Sequence, residues 1–379
     1  ADHLIELGPD AGENGGKIVA TGDVASLQNN PDSITGKYLD EKLLISEKSS
    51  VAEIKNENPV SIVSAYANNL KHINLEIPTA QMVAITGVSG SGKSTLVFDV
   101  IAESAKNKRP VGCDAIGGLE QFNDIVTVSQ EPIATSRVSN ALTYTGLFDR
   151  VRELFAATPE AKARKLKKSH FSFNSKGGRC EKCQGHGKLR VSLDFVSDVW
   201  VTCDECHGKR YTDEVLACYF NGKNIFDVLE MPVSKAVDFF GEETELARQL
   251  TVLKDVGVGY IRPGQSTDSL SGGELQRLKL AGELMKNSDG RNLYLLDEPS
   301  TGLHFRDVEM LIALFQKLVG KGHTVLIIEH NPHIIRQCQH LIDLGPGGGE
   351  NGGEVIAQGT PEEISKFEIS LTGQFLNIR

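Results

Sequence analysis

Gly87-Val88-Ser89-Gly90-Ser91-Gly92-Lys93-Ser94-Thr95 is the stretch whose reading decides the fold. It fits G-x-x-x-x-G-K-[ST], in which glycines let backbone N–H groups surround phosphate oxygens, the lysine adds a point charge and the next hydroxyl reaches Mg²⁺. Gly87, Ser89, Gly90, Gly92, Lys93, Ser94 and Thr95 are therefore candidate nucleotide-binding residues, with ATP and Mg²⁺ as the implied ligands. The flanks suit that role. Residues 81–86 read as a buried strand, and residues 96–101 continue as a helix whose N-terminus faces the phosphates.

A second apolar run, residues 291–296, ends in Asp297 and Glu298, at a strand end where ligands meet a parallel sheet. There Asp297 would hold the Mg²⁺ shell and Glu298 would act as general base on the attacking water. Residues 324–328 end likewise at Glu329 and His330. His330 reads as a γ-phosphate contact or, alternatively, as a helix-capping surface histidine. Gln130, after the strand-like run 125–129, is the candidate metal and water contact. Tyr66 precedes the phosphate loop and reads either as an adenine stacker or as an exposed strand tyrosine.

Leu270-Ser271-Gly272-Gly273-Glu274 needs a different explanation. Its serine and glycines expose N–H groups at the start of a helix through Leu275, Leu278 and Leu280, a second phosphate-binding helix end. The set and its order resemble the ATP-binding cassette ATPases. That resemblance implies an α/β core of the P-loop cassette type, and head-to-tail pairing in which each cassette lends Ser271, Gly272 and Gly273 to the other's ATP. A second cassette is thus an expected partner, from a preceding half of the protein or from a homodimer.

An internal repeat bears on that choice. His3-Leu4-Ile5-Glu6-Leu7-Gly8-Pro9 recurs as His340-Leu341-Ile342-Asp343-Leu344-Gly345-Pro346, and the constant offset of 337 holds from position 3 to 39 with 17 identities. The second copy directly follows the His330 strand, at the end of a cassette, so the first reads as the tail of an earlier one. With no initiating Met, the expectation is the C-terminal part of a tandem-cassette protein.

Between Gln130 and Leu270 lies an insertion with a separate signal. Cys180-x2-Cys183 and Cys203-x2-Cys206 are spaced to close two knuckles on one tetrahedral Zn²⁺, each followed by a turning glycine, Gly185 and Gly208. Two disulfides are the alternative. The chain shows no signal peptide or long apolar run, which favours a cytoplasmic protein with reduced thiols and no membrane partner. Four thiolates leave no open coordination position, so the zinc would be structural. His186 and His207 read as neighbours of the cage rather than ligands.

The 40 basic and 50 acidic residues argue against indiscriminate nucleic-acid affinity. Residues 162–190 break the balance, with ten Lys or Arg against one acid, Glu181, and with Phe171 and Phe173 interleaved. Lys165, Lys167, Lys168, Lys176 and Arg179 are the candidate phosphate contacts of a double-stranded DNA surface; a solvated charged face is the alternative. Such contacts read backbone and deformability rather than base sequence.

Taken with Phe171-Ser172-Phe173-Asn174, Gly177-Gly178-Arg179-Cys180, Tyr260-Ile261-Arg262-Pro263-Gly264-Gln265 and Asp297-Glu298-Pro299-Ser300-Thr301-Gly302-Leu303-His304, these motifs resemble the C-terminal half of the UvrA family or a close paralogue. The resemblance covers nearly the whole chain. It implies an ATP-driven DNA-damage sensor of nucleotide excision repair, not itself the nuclease, with a UvrB-like helicase as partner of the full protein. Glu131 after Gln130, and Leu275 and Gly282 in the signature helix, depart from the usual pattern and keep open a paralogue acting on drug-bound DNA or RNA. A transporter-type ATPase is a third reading, which leaves the cysteines without a role. The expected layout is a preceding cassette's tail (1–40), a linker (41–58), the first part of the core (59–130), an inserted helical and zinc-binding subdomain (131–263), and the signature helix with the rest of the core (264–379).

Overall fold

The computed structural model describes residues 1–9, 15–39, 58–129, 131, 135–193, 196–241, 244–286 and 290–377. Gln130 and the expected linker, apart from Asn58, lie outside them. The chain divides into two compact units, Ala1–Glu131 with Lys286–Arg379, and Pro132–Met285.

The strands are β1 (Leu4–Gly8), β2 (Lys17–Gly22), β3 (Val60–Ala65), β4 (Ile73–Ile77), β5 (Met82–Gly87), β6 (Ala115–Gly117), β7 (Asp124–Val128), β8 (Lys188–Leu193), β9 (Val196–Thr202), β10 (Asn292–Asp297), β11 (Thr324–Ile328), β12 (His340–Gly345) and β13 (Glu354–Gly359). In the first unit β12, β5, β11, β10 and β7 lie side by side and parallel, and β13 closes the β12 edge antiparallel. Continuous apolar runs make this possible, because a parallel strand is covered on both faces. Every residue of β10 and β11 is buried, and Val83, Ile85, Leu295, Leu326 and Ile342 share one core with Leu96 and Val100 of the helix after the phosphate loop. β3 pairs antiparallel with β4 and with β6 on its other edge.

The sequence repeat is a structural one. β1–β2 and β12–β13 have the same register shifted by 337, with the same irregularity after Glu6 and after Asp343. β12 also pairs with β5, and Ile342 and Leu344 are buried in the core of this unit, whereas their counterparts Ile5 and Leu7 are 64% and 68% exposed.

Among the described residues the second unit's only strands are those of the β8–β9 hairpin, and its other regular elements are helices. Asn140 caps its first helix, Ala141–Tyr144, through a reciprocal box with Thr143. The helix Gly272–Met285 falls inside this unit, whereas the sequence reading grouped it with residues 264–379. Among the described residues no helix is long and apolar enough to cross a membrane.

Candidate functional site

β5 ends in the phosphate loop, and the chain enters the helix Thr95–Ala102 directly from it. Gly87 has φ +128°, and a Cβ there would come 2.0 Å from the carbonyl oxygen of Leu344, so only glycine fits. The Lys93 ammonium is buried and donates to the carbonyls of Gly87 (2.9 Å) and Val88 (2.8 Å). Burial pushes its pKa down, while the carboxylates of Glu298, Asp297 and Asp343 pull it back. Ser94 is exposed at the start of the helix, and Thr95 accepts from Asn68 Nδ2 at 3.1 Å.

The neighbouring strand ends carry the acids. Asp297 is the buried last residue of β10. Glu298 turns the chain with φ +43°, a conformation that costs a non-glycine residue, and its N–H donates to Ile328 at the end of β11. Its Oε1 lies 3.4 Å from His330 Nε2, and its Oε2 accepts from Thr301. Glu329 is buried and accepts from the N–H groups of Ser300, His330 and Asn331. Two adjacent acids thus differ in setting: one is half-buried beside a histidine, and the other ties together the loops after β10 and β11.

Several further contributors lie outside the phosphate-binding motifs. The glycine-rich stretch 345–353 lies along the phosphate loop, with Gly349 N–H donating to Gly90 and Gly353 N–H to Ser91. A Cβ on Gly353 would meet the Asn69 carbonyl oxygen at 1.8 Å, which accounts for glycine there. Asn69 donates to the carbonyls of Gly90 and Gly349. Tyr66 stands at the head of this Asn68–Asn69 loop, half-exposed, with its ring 5.7 Å from that of His72. Asp343, buried in β12, accepts from Thr86, Ser370 and Thr372. The repeat itself was the available sign, since Glu6 accepts in the same way from Ser33 and Thr35.

In the second unit Ser271 and Gly272 are exposed at the start of the signature helix, with Gly273 beside them. Ser271 donates through both N–H and Oγ to Glu274 Oε2, and the Glu274 N–H donates back to Ser271 Oγ. Burial would raise the Glu274 pKa, but hydrogen bonds from Tyr260 and Ser271 hold it below the ordinary carboxylate value.

Also in this unit, the sulfurs of Cys180, Cys183, Cys203 and Cys206 lie within 4.8 Å of one another, at 3.9 Å for Cys180–Cys203 and 3.6 Å for Cys183–Cys206. Zn–S bonds of about 2.3 Å in a tetrahedron put sulfurs about 3.8 Å apart, whereas a disulfide needs about 2.05 Å. The cage has the dimensions of a zinc tetrathiolate, and the cysteines are unpaired. Burial, with Cys183 and Cys206 alongside, pushes the Cys180 thiol up to about 12, so a divalent cation is what would stabilise several thiolates here. Gly185 and Gly208 both adopt positive φ, and neither His186 nor His207 belongs to the cage.

Comparison with known proteins fits this combination. UvrABC system protein A of Aquifex aeolicus is 51% identical over 382 residues, covering 99% of this chain and 41% of that protein. The Listeria monocytogenes protein of the same name is 48% identical, covering 99% and 40%. The solved structure of UvrA2 from Deinococcus radiodurans superposes with a TM-score of 0.88 at 44% identity, over 99% of this chain and 46% of that one. The chain belongs to the UvrA family. No family model matches it. It spans about two fifths of the length of the curated UvrA relatives it matches.

The basic block of this UvrA-family chain is less uniform than its sequence. Lys168 is held by Asp149 (3.1 Å) and Glu153 (2.7 Å), and Arg179 by Glu181 (3.3 Å) and the Asn174 carbonyl. Lys165, Lys167 and Lys176 are exposed, without an ion pair among the described residues.

Proposed function

We propose that this chain is the cassette-bearing C-terminal portion of a UvrA-type protein that binds double-stranded DNA and senses its damage in nucleotide excision repair. MgATP drives it, and a UvrB-like helicase is the expected partner of the whole protein. The observation that carries the reading is the meeting of Lys93, Asp297, Glu298 and His330 at the ends of three adjacent parallel strands, within one chain that also holds a four-cysteine cage. Lys93 and Ser94 hold the phosphates and Mg²⁺ with Asp297. Glu298 takes the proton of the attacking water, and His330, beside it, contacts the γ-phosphate. Gln130 completes the metal shell, and Tyr66 stacks on adenine. The site is composite: Ser271, Gly272 and Gly273 serve the nucleotide of another cassette. Residues 1–40 are the tail of a preceding cassette, which the exposed β1 face supports, since the same face of β12 is buried in the core of its cassette. Residues 41–58 link the two, and zinc in the cysteine cage shapes the insertion.

Lys165, Lys167 and Lys176 are the proposed phosphate contacts, with Lys168 and Arg179 held by acids as supports. Reversing the charge of the three exposed lysines is expected to weaken damaged and undamaged duplex alike and to flatten log affinity against log salt. An unchanged salt slope would refute the DNA surface.

A further inference from the structure

We propose that Arg137 is a positioning residue that couples the β8–β9 hairpin of the cysteine module to the signature helix end, so that DNA and nucleotide sense each other. The proposal rests on the reading of the chain as a DNA-binding cassette ATPase. Three segments of the second unit converge on this side chain. The guanidinium carbon lies 3.9 Å from the ring centroid of Trp200 on β9, and Nε lies 3.3 Å from Asp268 Oδ2. Trp200 belongs to the stretch between the two cysteine pairs, and His186, whose N–H donates to the Cys183 carbonyl, flanks its ring at 6.3 Å. Asp268 precedes Ser271 by three residues.

The backbone under Arg137 is fixed to the same approach. Ser136 N–H donates to Thr267 Oγ1 (3.0 Å), which donates to the Ser136 carbonyl (3.1 Å), and Thr267 N–H donates to the Ser139 carbonyl (2.9 Å). Thr267 is fully buried. Residues 136–139 therefore move with 267–268, and the Arg137 side chain carries that movement to the hairpin. A planar guanidinium stacks and pairs at once, which a lysine ammonium cannot do. The partly exposed ion pair alone is weak, so the stack on Trp200 is the contact that matters. Any coupling through it is reciprocal: whatever factor nucleotide applies to DNA affinity, DNA applies to nucleotide affinity.

Trp200 is the only tryptophan of the chain, so its emission reads the contact directly. The test compares the full chain with its Arg137→Ala and Arg137→Lys variants. Emission and affinities are measured with a non-hydrolysable ATP analogue plus Mg²⁺, a short DNA duplex, and both, at a protein concentration where the chains are shown to be paired. In the unsubstituted chain the analogue is expected to shift Trp200 emission and to change duplex affinity. In both variants each ligand is expected to bind alone within about twofold of the unsubstituted chain, while the emission response disappears and the coupling factor falls to one. Arg137→Lys keeps the charge opposite Asp268 and decides the matter should Arg137→Ala fail to fold. Coupling retained in a folded variant overturns the proposal, as does an unsubstituted chain whose Trp200 emission ignores the analogue. An unsubstituted chain that binds no duplex but shows an Arg137-dependent emission response refutes the DNA function and upholds the relay.

Discussion

At the scale of single residues, neighbouring acids with different surroundings do different work. Glu298 lies beside His330 and close enough to Lys93 for its charge to act there, and replacing it with glutamine keeps the shape but removes the proposed proton acceptor. Glu298→Gln is expected to lower ATP turnover by about 10²- to 10⁴-fold with nucleotide binding retained, measured by phosphate release beside equilibrium binding. An active Glu298→Gln variant would assign the base elsewhere. Asp343 is a structural counterpart. It accepts three hydroxyl donors under the phosphate-loop strand, so Asp343→Ala leaves buried donors unmatched and is expected to cost about 3 kcal/mol in denaturant unfolding. A loss within experimental error would mean that water replaces the carboxylate there.

At the scale of elements, the cysteine module is the clearest case of geometry following spacing. Its knuckles bring four sulfurs to tetrahedral dimensions, so purified protein is expected to hold one zinc per chain, and chelation is expected to loosen the β8–β9 hairpin, seen as a change in Trp200 emission. Less than half an equivalent in reduced, unchelated protein would count against the site. The parallel strands were legible because a strand buried on both faces is largely apolar, as residues 82–85 and 325–328 are throughout. The packing of the 345–353 loop on the phosphate loop was not legible, because a glycine requirement imposed by a distant backbone leaves no periodic trace. Pairing within the basic block was equally hidden. Asp149 and Glu153, which hold Lys168, lie before the block, on the helix Phe148–Ala156.

At the scale of the whole molecule, burial leaves a signature in pH. His323, His333 and His340 all have lowered pKa values because burial disfavours their charged forms. In the unfolded chain they titrate near 6.5, so as pH falls through that value the unfolded state takes up protons that the folded state refuses. Stability is expected to be fully present above about pH 6.5 and to decline below it, and a denaturant midpoint higher at pH 5.5 than at pH 7.5 would contradict this. The exposed apolar face of β1, whose counterpart on β12 is buried in the core, agrees with the proposal that a preceding cassette covers it.

The most direct measurement is ATP turnover per chain against protein concentration, with association state followed in the same samples. Because Ser271, Gly272 and Gly273 are proposed to complete another cassette's site, turnover per chain is expected to rise steeply as chains pair, and mixing a Ser271→Arg chain with a Lys93→Ala chain, each inactive alone, should restore activity through the one site that keeps both residues. Full turnover, independent of concentration, in chains shown to be monomeric would contradict the composite site.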